Sequence, residues 1–330
     1  MADPFDSGRY DGRMPYRRCG RSGLLLPAIS LGAYETLGGY RDAATSRAIL
    51  TRAFDGGITH IDFANNYGTP PGNCEIVCGQ ILRDFPRDEL TLASKAGWRM
   101  WPGPYGDFLG KKYLVASCEQ SLKRLGVEYV DIFYLHRTDP ETPLEESLGA
   151  LDQLIRQGKA LYGGVSSFNG AHFAESVRVC QRDGLSRIAI HQPAYNMLDR
   201  RIETDLIPQL ERAGVGAIPF VPLAQGLLSD RYLSGDIPPD SRATHRWGVE
   251  GTQRRLTPER LTQLRGLNDI ALARGQSLSQ MALQWILRLP AITSVLVGVS
   301  SVEQLDQNLG ALTGPVFSED ELSRIDALTR

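Results

Sequence analysis

Short apolar runs alternate with longer amphipathic stretches along most of the chain. Runs of roughly four to eight residues that are rich in β-branched side chains predict buried strands, and the stretches between them predict helices. The eight predicted strands are Ala28–Gly32, His60–Ala64, Leu90–Ala96, Tyr129–His136, Tyr162–Ser167, Ile188–Gln192, Gly216–Pro222 and Ser294–Gly298. This alternation indicates an α/β protein with a parallel sheet.

Five of the intervening helices have recognisable ends. Glycine follows each of them within two residues, and glycine commonly ends a helix because it adopts the left-handed conformation at little cost. Thr257 precedes the last of them as an N-cap, where its hydroxyl can accept a backbone hydrogen bond. The five predicted helices are Ala44–Phe54, Lys111–Leu125, Leu144–Arg156, Leu206–Ala213 and Pro258–Arg274.

Eight strand–helix units can form an open doubly wound sheet or a closed barrel. The open form usually carries a GxGxxG phosphate loop after its first strand, and this sequence has none there. Gly214-Val215-Gly216 precedes a predicted strand and is interpreted as a turn. We therefore predict a (β/α)8 TIM barrel that spans residues 15–330 as a single domain, with residues 1–14 as a loose N-terminal tail.

Two long segments interrupt the alternation. Trp98–Gly110 follows the third predicted strand, and Leu227–Arg255 follows the seventh. Both therefore leave the C-terminal ends of strands, where barrel enzymes build their active sites. We expect both segments to act as lids over such a site.

Charge and composition exclude several classes of protein. The net charge is −2 over 330 residues and the basic residues are scattered, so no nucleic-acid partner is expected. No apolar run reaches the ~18 residues that span a bilayer, and the polar N-terminus lacks the apolar core of a signal peptide, so no membrane insertion is expected. The five cysteines are too few and odd in number for a disulfide framework, which suggests reduced thiols and a cytoplasmic protein.

No metal site is expected either. Cys74 and Cys78 lie one helical turn apart, but no His or Cys partners surround them at zinc-like spacing. A metal-dependent barrel hydrolase would need clustered ligands at strand ends. The histidines, which are His60, His136, His172, His191 and His245, form no such cluster in the sequence.

Polar side chains stand at the ends of three successive predicted strands. Asp62 lies in the second strand, and Tyr67 follows it after a few residues. Lys95 lies near the end of the third strand, and His136 ends the fourth. Because the C-terminal ends of neighbouring barrel strands converge, we expect these four side chains to meet.

Together these groups could deliver a proton to a carbonyl oxygen. Free tyrosine has a pKa of about 10, and we expect the ammonium of Lys95 to lower that pKa. Asp62 would keep Lys95 charged in a buried pocket, and His136 would orient the carbonyl group. Addition of hydride to the carbonyl carbon requires a reduced nicotinamide, because no side chain can supply hydride.

Three ordered motifs resemble the catalytic tetrad of the aldo-keto reductases. They are THIDFANNYG at Thr59–Gly68, Ala93-Ser94-Lys95, and the strand end Leu135-His136. The resemblance runs from about Pro15 to the C-terminus. It is greatest toward the branch of the potassium-channel β subunits and the L-glyceraldehyde 3-phosphate reductases, through WPGPYGD at Trp101–Asp107, PLAQGLLS at Pro222–Ser229 and GVSSVEQLDQN at Gly298–Asn308.

The resemblance implies an NADPH/NADP cofactor and a small-molecule carbonyl substrate. Ser166 and Gln192 would hold the nicotinamide carboxamide, and Phe220 would stack on the ring. The residues implied in cofactor binding are Gly32, Asp62, Ser166, Gln192, Phe220, Pro222, Leu223, Ala224, Gly226, Arg231, Arg242, Gly298, Ser300, Gln304 and Asn308. Those implied around the substrate are Tyr34, Trp98, Trp101 and His136.

Three positions depart from the usual family pattern. Ser167 replaces an asparagine, and Tyr34 replaces a tryptophan that helps to set substrate preference. Gln304 stands where other branches place an arginine for the 2′-phosphate, so the preference for NADPH would rest on Arg242.

Two functions remain open at the level of sequence. One is an NADPH-dependent reductase of small aldehydes and ketones, such as methylglyoxal or a triose phosphate, with Tyr67 as general acid. The other is a regulatory subunit with little turnover that uses the cofactor as a redox sensor. The complete tetrad does not separate them, and the sequence is also compatible with a homo-oligomer.

Overall fold

Ten strands and eleven α-helices are present in residues 4–237 and 248–330, which are the residues that the computed structural model describes. A short antiparallel hairpin, β1 (Tyr16–Arg18) and β2 (Leu25–Pro27), comes first. The parallel strands are β3 (Ile29–Gly32), β4 (His60–Asp62), β5 (Thr91–Ala96), β6 (Val130–Leu135), β7 (Ala160–Ser166), β8 (Ile188–Gln192), β9 (Gly216–Ala217) and β10 (Val295–Val297).

Helices connect these strands and follow the last of them. They are α1 (Ala43–Asp55), α2 (Asn73–Leu82), α3 (Lys111–Leu125), α4 (Leu144–Arg156), α5 (Gly170–Arg182), α6 (Ile207–Ala213), α7 (Gly248–Gln253), α8 (Pro258–Ala273), α9 (Leu278–Leu287), α10 (Val302–Leu309) and α11 (Glu319–Thr329). The predicted bounds of α3 and α4 are confirmed. Thr257 caps α8 as predicted, because its hydroxyl accepts a hydrogen bond from the amide of Arg260 at 3.2 Å.

The eight parallel strands close into a barrel. Strands β3 to β9 lie side by side in chain order, and β10 lies next to β3 on its other side. The two edges then meet, since the amide of Thr293 donates to Ala217 O at 2.8 Å and the amide of Leu296 donates to Pro219 O at 3.0 Å. The prediction of a (β/α)8 barrel is therefore confirmed.

The hairpin covers the end of the barrel at which the strands begin. The amide of Arg21 donates to Gly214 O, just before β9, at 2.9 Å. Leu26 is fully buried in the same apolar cluster as Ile132 and Ile190 of the barrel interior. The two strands of the hairpin have three residues each, and such short strands give no recognisable hydrophobic pattern.

Within the stretch 1–14, for which the sequence predicts a loose tail, Phe5 and Arg9 pack on the barrel. The Phe5 ring lies 4.8 Å from that of Phe54 and 4.5 Å from that of Phe85. Arg9 donates to both carboxylate oxygens of Glu89 at 3.1 Å. Phe5 and Tyr10 are isolated aromatic residues in a polar stretch and give no periodic signal, so the sequence pattern could not show this anchoring.

The seventh barrel strand is shorter than predicted. The sequence predicts a strand over Gly216–Pro222, whereas β9 ends at Ala217. Beyond it, the amide of Ile218 donates to His191 O at 2.9 Å, and Phe220 forms an isolated bridge with Ala194. Pro219 and Pro222 have no amide hydrogen, so regular pairing cannot continue through them. The chain bends here, with Val221 at a positive φ of 51°, and this bend contributes to the functional cavity described below.

Candidate active site

A cavity of about 820 Å³ opens at the C-terminal ends of the barrel strands. Its floor is formed by residues that end four strands: Gly32 of β3, Asp62 of β4, Ser166 of β7 and Gln192 of β8. His136, directly after β6, also lines it. The position and volume are those of small-molecule and cofactor sites in this architecture, which occupy about 300–1,000 Å³.

Lys95 is the centre of the polar cluster under this cavity. Its Nζ donates to Asp62 Oδ2 at 2.5 Å, to Phe63 O at 2.7 Å and to the Tyr67 hydroxyl at 3.3 Å. Adjacent pairing of β4 with β5 brings Asp62 and Lys95 together, and the loop after β4 carries Tyr67 back over them. All three ammonium protons have partners, which compensates for the desolvation of a fully buried lysine.

The electrostatics of Lys95 and Asp62 are those of a buried ion pair. Burial lowers the pKa of Lys95 and raises the pKa of Asp62, while the opposite charge of each partner works against that shift. The second carboxylate oxygen, Oδ1, accepts from Gln192 Nε2 at 3.1 Å, which favours the ionised form. The pair is therefore stable only as a unit, because loss of either partner leaves the other charge buried.

The hydroxyl of Tyr67 is held in its protonated form. Burial, followed by the negative charge of Asp62, raises the pKa of Tyr67 well above its ordinary value. The sequence-based expectation was the opposite, namely that Lys95 would lower this pKa. The difference arises because Asp62 contacts the ammonium at 2.5 Å and offsets its charge, so that burial dominates. Tyr67 is thus a neutral phenol at neutral pH, able to donate a proton.

His136 lies beside Tyr67, with ring centroids 5.9 Å apart. Burial and the positive charges of Lys95 and Arg137 lower the pKa of His136 well below its ordinary value, so the imidazole is neutral. Its buried Nδ1 has no hydrogen-bond partner among residues 4–237 and 248–330. Since a neutral imidazole carries one N–H donor and one acceptor nitrogen, His136 retains hydrogen-bonding capacity for a bound molecule.

Two of the three aromatic residues expected around the substrate line the cavity. The Tyr34 ring packs on that of Tyr67 with centroids 4.8 Å apart, and the Trp98 ring stands 6.3 Å from that of His136. Trp101 does not belong to the described lining. Its ring packs against that of Tyr113, with centroids 5.1 Å apart.

Most residues implied in cofactor binding line the same cavity. They are Gly32, Ser166, Gln192, Phe220, Pro222, Leu223, Gly226, Arg231, Gly298, Ser300, Gln304 and Asn308, together with Asp62. Ala224 lies in the same turn but is not part of the lining. Arg242 falls within residues 238–247, outside the described part of the chain.

Several of these side chains are hydrogen-bonded to one another. Ser166 Oγ donates to Gln192 O at 3.0 Å. Gln304 Oε1 accepts from both the amide and the hydroxyl of Ser300, at 2.8 and 2.9 Å. The Ser301 side chain caps α10 directly behind them. These bonds fix the floor and the far end of the cavity before any ligand enters.

Other lining residues were not singled out by the sequence pattern. They include Thr36, Tyr40, Arg41, Asn66, Gln225, Ser229, Ser279 and Gln307. Most lie in irregular loops, where neither spacing nor periodicity marks a residue as functional. Only their position after strand ends could have suggested them.

The cavity suits a nicotinamide cofactor. It extends from the Tyr67–His136 group to the N-terminal turn of α10, where exposed amides and the helix dipole favour an anion. Within the described residues, no group of three or more His, Cys, Asp or Glu side chains is placed to hold a metal ion. Those residues also include no helix that is both long and apolar enough to cross a bilayer.

Comparisons with known proteins agree with this geometry. The profile of the Aldo/keto reductase family matches residues 28–330. The chain is 51% identical over 322 residues to L-glyceraldehyde 3-phosphate reductase of Escherichia coli K12, covering 96% of this chain and 92% of that protein. It is 33% identical over 321 residues to a probable voltage-gated potassium channel subunit beta of Oryza sativa subsp. japonica, covering 96% and 97% of the two chains. The chain is therefore a member of the aldo/keto reductase family.

Proposed function

We propose that this protein reduces small aldehydes and ketones with NADPH, and that Tyr67 supplies the proton. The observation that carries the proposal is the placement of Lys95, which contacts both Asp62 and the Tyr67 hydroxyl beneath the cavity. A partly buried, protonated phenol beside a neutral imidazole can donate to an oxygen on which negative charge develops. Carbonyl reduction requires such a donor.

Each residue of the group has a distinct task in this reaction. His136 donates a hydrogen bond to the carbonyl oxygen and so orients it toward Tyr67. Tyr67 then gives its proton to that oxygen as the C–H bond forms. Lys95 remains bonded to the phenol oxygen and stabilises the negative charge that develops there, and Asp62 keeps Lys95 charged. A bound NADPH would supply the hydride for the carbonyl carbon.

The residues present account for the parts of the cofactor. Ser166 and Gln192 would hold the carboxamide, and Phe220 would lie against the nicotinamide ring. Leu223, Gly226 and Arg231 of the cavity lining would hold the pyrophosphate together with Ala224 of the same turn, while Ser300, Gln304 and Asn308 would bind the adenosine end at α10. We assign the 2′-phosphate to Arg242, because a guanidinium binds phosphate through a planar fork and keeps its charge at any working pH.

Small polar aldehydes, such as methylglyoxal or L-glyceraldehyde 3-phosphate, are the proposed substrates. The aromatic side chains of Tyr34 and Trp98 line the cavity together with His136. The 51% identity to a reductase named for a triose phosphate supports this class.

A kinetic panel tests the proposal. Purified protein with NADPH should turn over L-glyceraldehyde 3-phosphate and methylglyoxal with a kcat of at least about 1 s⁻¹. Arg242→Ala should weaken NADPH about tenfold to a hundredfold and leave NADH nearly unaffected. Absence of turnover with every aldehyde offered would overturn the proposal.

A second candidate function is that of a regulatory subunit with little turnover. The 33% identity to potassium channel β subunits, which covers nearly the whole of both chains, favours it. In that case NADPH would bind with micromolar or better affinity, yet steady-state reduction of the panel would stay far below one turnover per second. The same experiment therefore separates the two candidates.

A further inference from the structure

We propose that Arg137 is a positioning residue that holds Trp98 in place as one wall of the substrate cavity, and that it thereby sets which aldehydes the site prefers. The inference rests on the carbonyl reduction proposed above. The proposed reaction gives Arg137 no catalytic role and no contact with the substrate.

The guanidinium of Arg137 lies between two aromatic rings. Its Cζ is 4.2 Å from the ring centre of Trp98 and 4.4 Å from that of Phe108. A planar guanidinium stacks well on aromatic faces, and the contact strengthens when it is partly desolvated. The Arg137 side chain is 20% exposed, so this sandwich is shielded from solvent to a large extent.

The same guanidinium ties together the two ends of the loop between Gly97 and Phe108. Its Nε donates to Gly97 O at 2.6 Å, and its Nη2 donates to Asp107 Oδ1 at 2.6 Å. Asp107 Oδ1 also accepts from the amide of Phe108 at 2.7 Å. One side chain thus fixes the start of the loop, its end and the indole ring between them.

The loop is held in a conformation that needs such support. Phe108 has a φ of 64°, in the left-handed region that a bulky residue rarely adopts. On the opposite side of the loop, the Tyr113 hydroxyl donates to Trp98 O at 2.5 Å and accepts from Asn65 Nδ2 at 2.9 Å. The backbone of Trp98 is therefore held by Tyr113, and its ring by Arg137.

This arrangement fixes the distance between the cavity wall and His136. Trp98 is 45% exposed, and within residues 4–237 and 248–330 its ring makes its ring and cation–π contacts with His136 and Arg137. Arg137 follows His136 directly in sequence, so movement of one is coupled to the other through the backbone. Without Arg137, the indole would gain rotamers and the cavity would widen.

The variant Arg137→Gln tests this positioning role through substrate selectivity. We expect the KM for methylglyoxal to rise about tenfold, as expected for loss of a partly desolvated cation–π contact, while kcat changes by less than about threefold. The kcat/KM for the bulkier 4-nitrobenzaldehyde should stay constant or rise. The ratio of the two kcat/KM values should therefore shift by about tenfold or more toward the bulky substrate.

Arg137→Lys separates positioning from charge. Lysine keeps a positive charge near His136 but lacks the planar fork, so we expect the same shift in selectivity as with glutamine. Full rescue by lysine would show that charge alone is needed, and it would overturn the proposal. A selectivity ratio unchanged from the wild type in both variants would do so as well.

Arg87→Gln is the matched control. Arg87 also stacks on an aromatic ring, that of Tyr129 at 4.2 Å, and pairs with Asp131 at 2.8 Å, but it lies at the end where the strands begin. It should lower stability to a similar extent without changing the selectivity ratio. An equal shift of that ratio in Arg87→Gln would mean that general destabilisation causes the effect, which would overturn the assignment.

Hydrogen exchange tests, without any substrate, whether Arg137 holds the loop between Gly97 and Phe108. We call this set of Arg137 contacts the clamp. In Arg137→Gln, amides of residues 98–109 should exchange at least about tenfold faster, including that of Met100, which donates to Gly106 O at 2.8 Å. Exchange in α4 should not change. If the wild type reduces no aldehyde but exchange rises as stated, the proposed function fails and the clamp stands. Unchanged exchange across residues 98–109 would overturn the clamp itself.

Discussion

The Nζ of Lys95 lies 2.5 Å from Asp62 Oδ2, and the two side chains are only 0% and 1% exposed. Removal of one partner would leave an unpaired charge in the barrel, whereas removal of both leaves none. Lys95→Met and Asp62→Asn should each lower kcat strongly, and the double variant should be little worse than the more damaging single one. Steady-state kcat for the four proteins of the cycle measures this. Losses that simply multiply in the double variant would show that the two groups act independently.

The raised pKa of Tyr67 predicts that its phenol does not ionise in the cofactor-free protein near neutral pH. Burial and the charge of Asp62 both disfavour the phenolate, so ionisation begins only above the ordinary tyrosine value near 10. Absorbance at 295 nm should therefore be the same for the wild type and Tyr67→Phe from about pH 6 to 9. A tyrosinate signal that is present only in the wild type, with a midpoint near pH 8, would show instead that Lys95 lowers this pKa.

Two other buried histidines make the fold sensitive to acid. Burial lowers the pKa of His60 to about 3 and that of His191 to about 3. Because both folded pKa values lie below the unfolded value near 6.5, the unfolded chain takes up protons first as the pH falls, and stability is lost below about pH 6.5. Between about pH 7.5 and 5.5 each histidine should cost about 1.4 kcal/mol of unfolding free energy.

Urea unfolding at the two pH values measures this loss. His191→Gln should show a smaller difference in unfolding free energy between them than the wild type, even if it is less stable at both. The matched control is the exposed His172→Gln, which should leave the difference unchanged. Equal pH dependence in the wild type and His191→Gln would contradict the account.

Gln192 provides a prediction for the supporting hydrogen bonds. Its Nε2 donates to Asp62 Oδ1 at 3.1 Å, so Gln192→Leu leaves one buried carboxylate oxygen without this donor. We expect kcat to fall about tenfold and NADPH binding to weaken, because the same side chain is assigned to the carboxamide. Gln192→Glu should be worse for kcat, since a second carboxylate would face Asp62. Wild-type kcat in both variants would show that Asp62 does not need this support.

The grouping of Asp62, Tyr67, Lys95 and His136 in space was predictable because it depends on strand ends. Asp62, Lys95 and His136 stand near the ends of three consecutive strands, and a parallel barrel places such ends side by side whatever the details of packing. The barrel itself followed from the alternation of strands and helices. The closure between β9 and the residues before β10 consists of an isolated bridge between Ala217 and Ile292 and single backbone hydrogen bonds, which a sequence pattern cannot show.

Features that depend on tertiary distances were not predictable. Whether the pKa of Tyr67 is raised or lowered depends on how far the charge of Asp62 offsets that of Lys95. That offset depends on the distance between the two groups, which the sequence does not give. Trp98 and Trp101 lie three residues apart in one loop and look equivalent in sequence. Only the packing of Trp101 on Tyr113 removes it from the cavity. The anchoring of Phe5 likewise comes from rings that are distant along the chain.

Tyr129→Phe provides the control for the role of the Tyr67 hydroxyl. Tyr129 immediately precedes β6, at the opposite end of the barrel from the cavity. Its conversion to phenylalanine removes a phenol without touching the site, so wild-type kcat is expected. Any fall seen in Tyr67→Phe but not in Tyr129→Phe is then specific to the candidate active site.

The kcat of Tyr67→Phe for NADPH-dependent reduction of methylglyoxal is the most direct test of the central claim. The substitution removes the proton donor and keeps the ring, so kcat should fall at least ~100-fold, the scale of general acid catalysis. NADPH affinity, measured by fluorescence titration, should stay within about twofold of the wild type, because the hydroxyl is assigned to the substrate and not to the cofactor. A kcat within a few-fold of the wild type would contradict the assignment of Tyr67 as the acid.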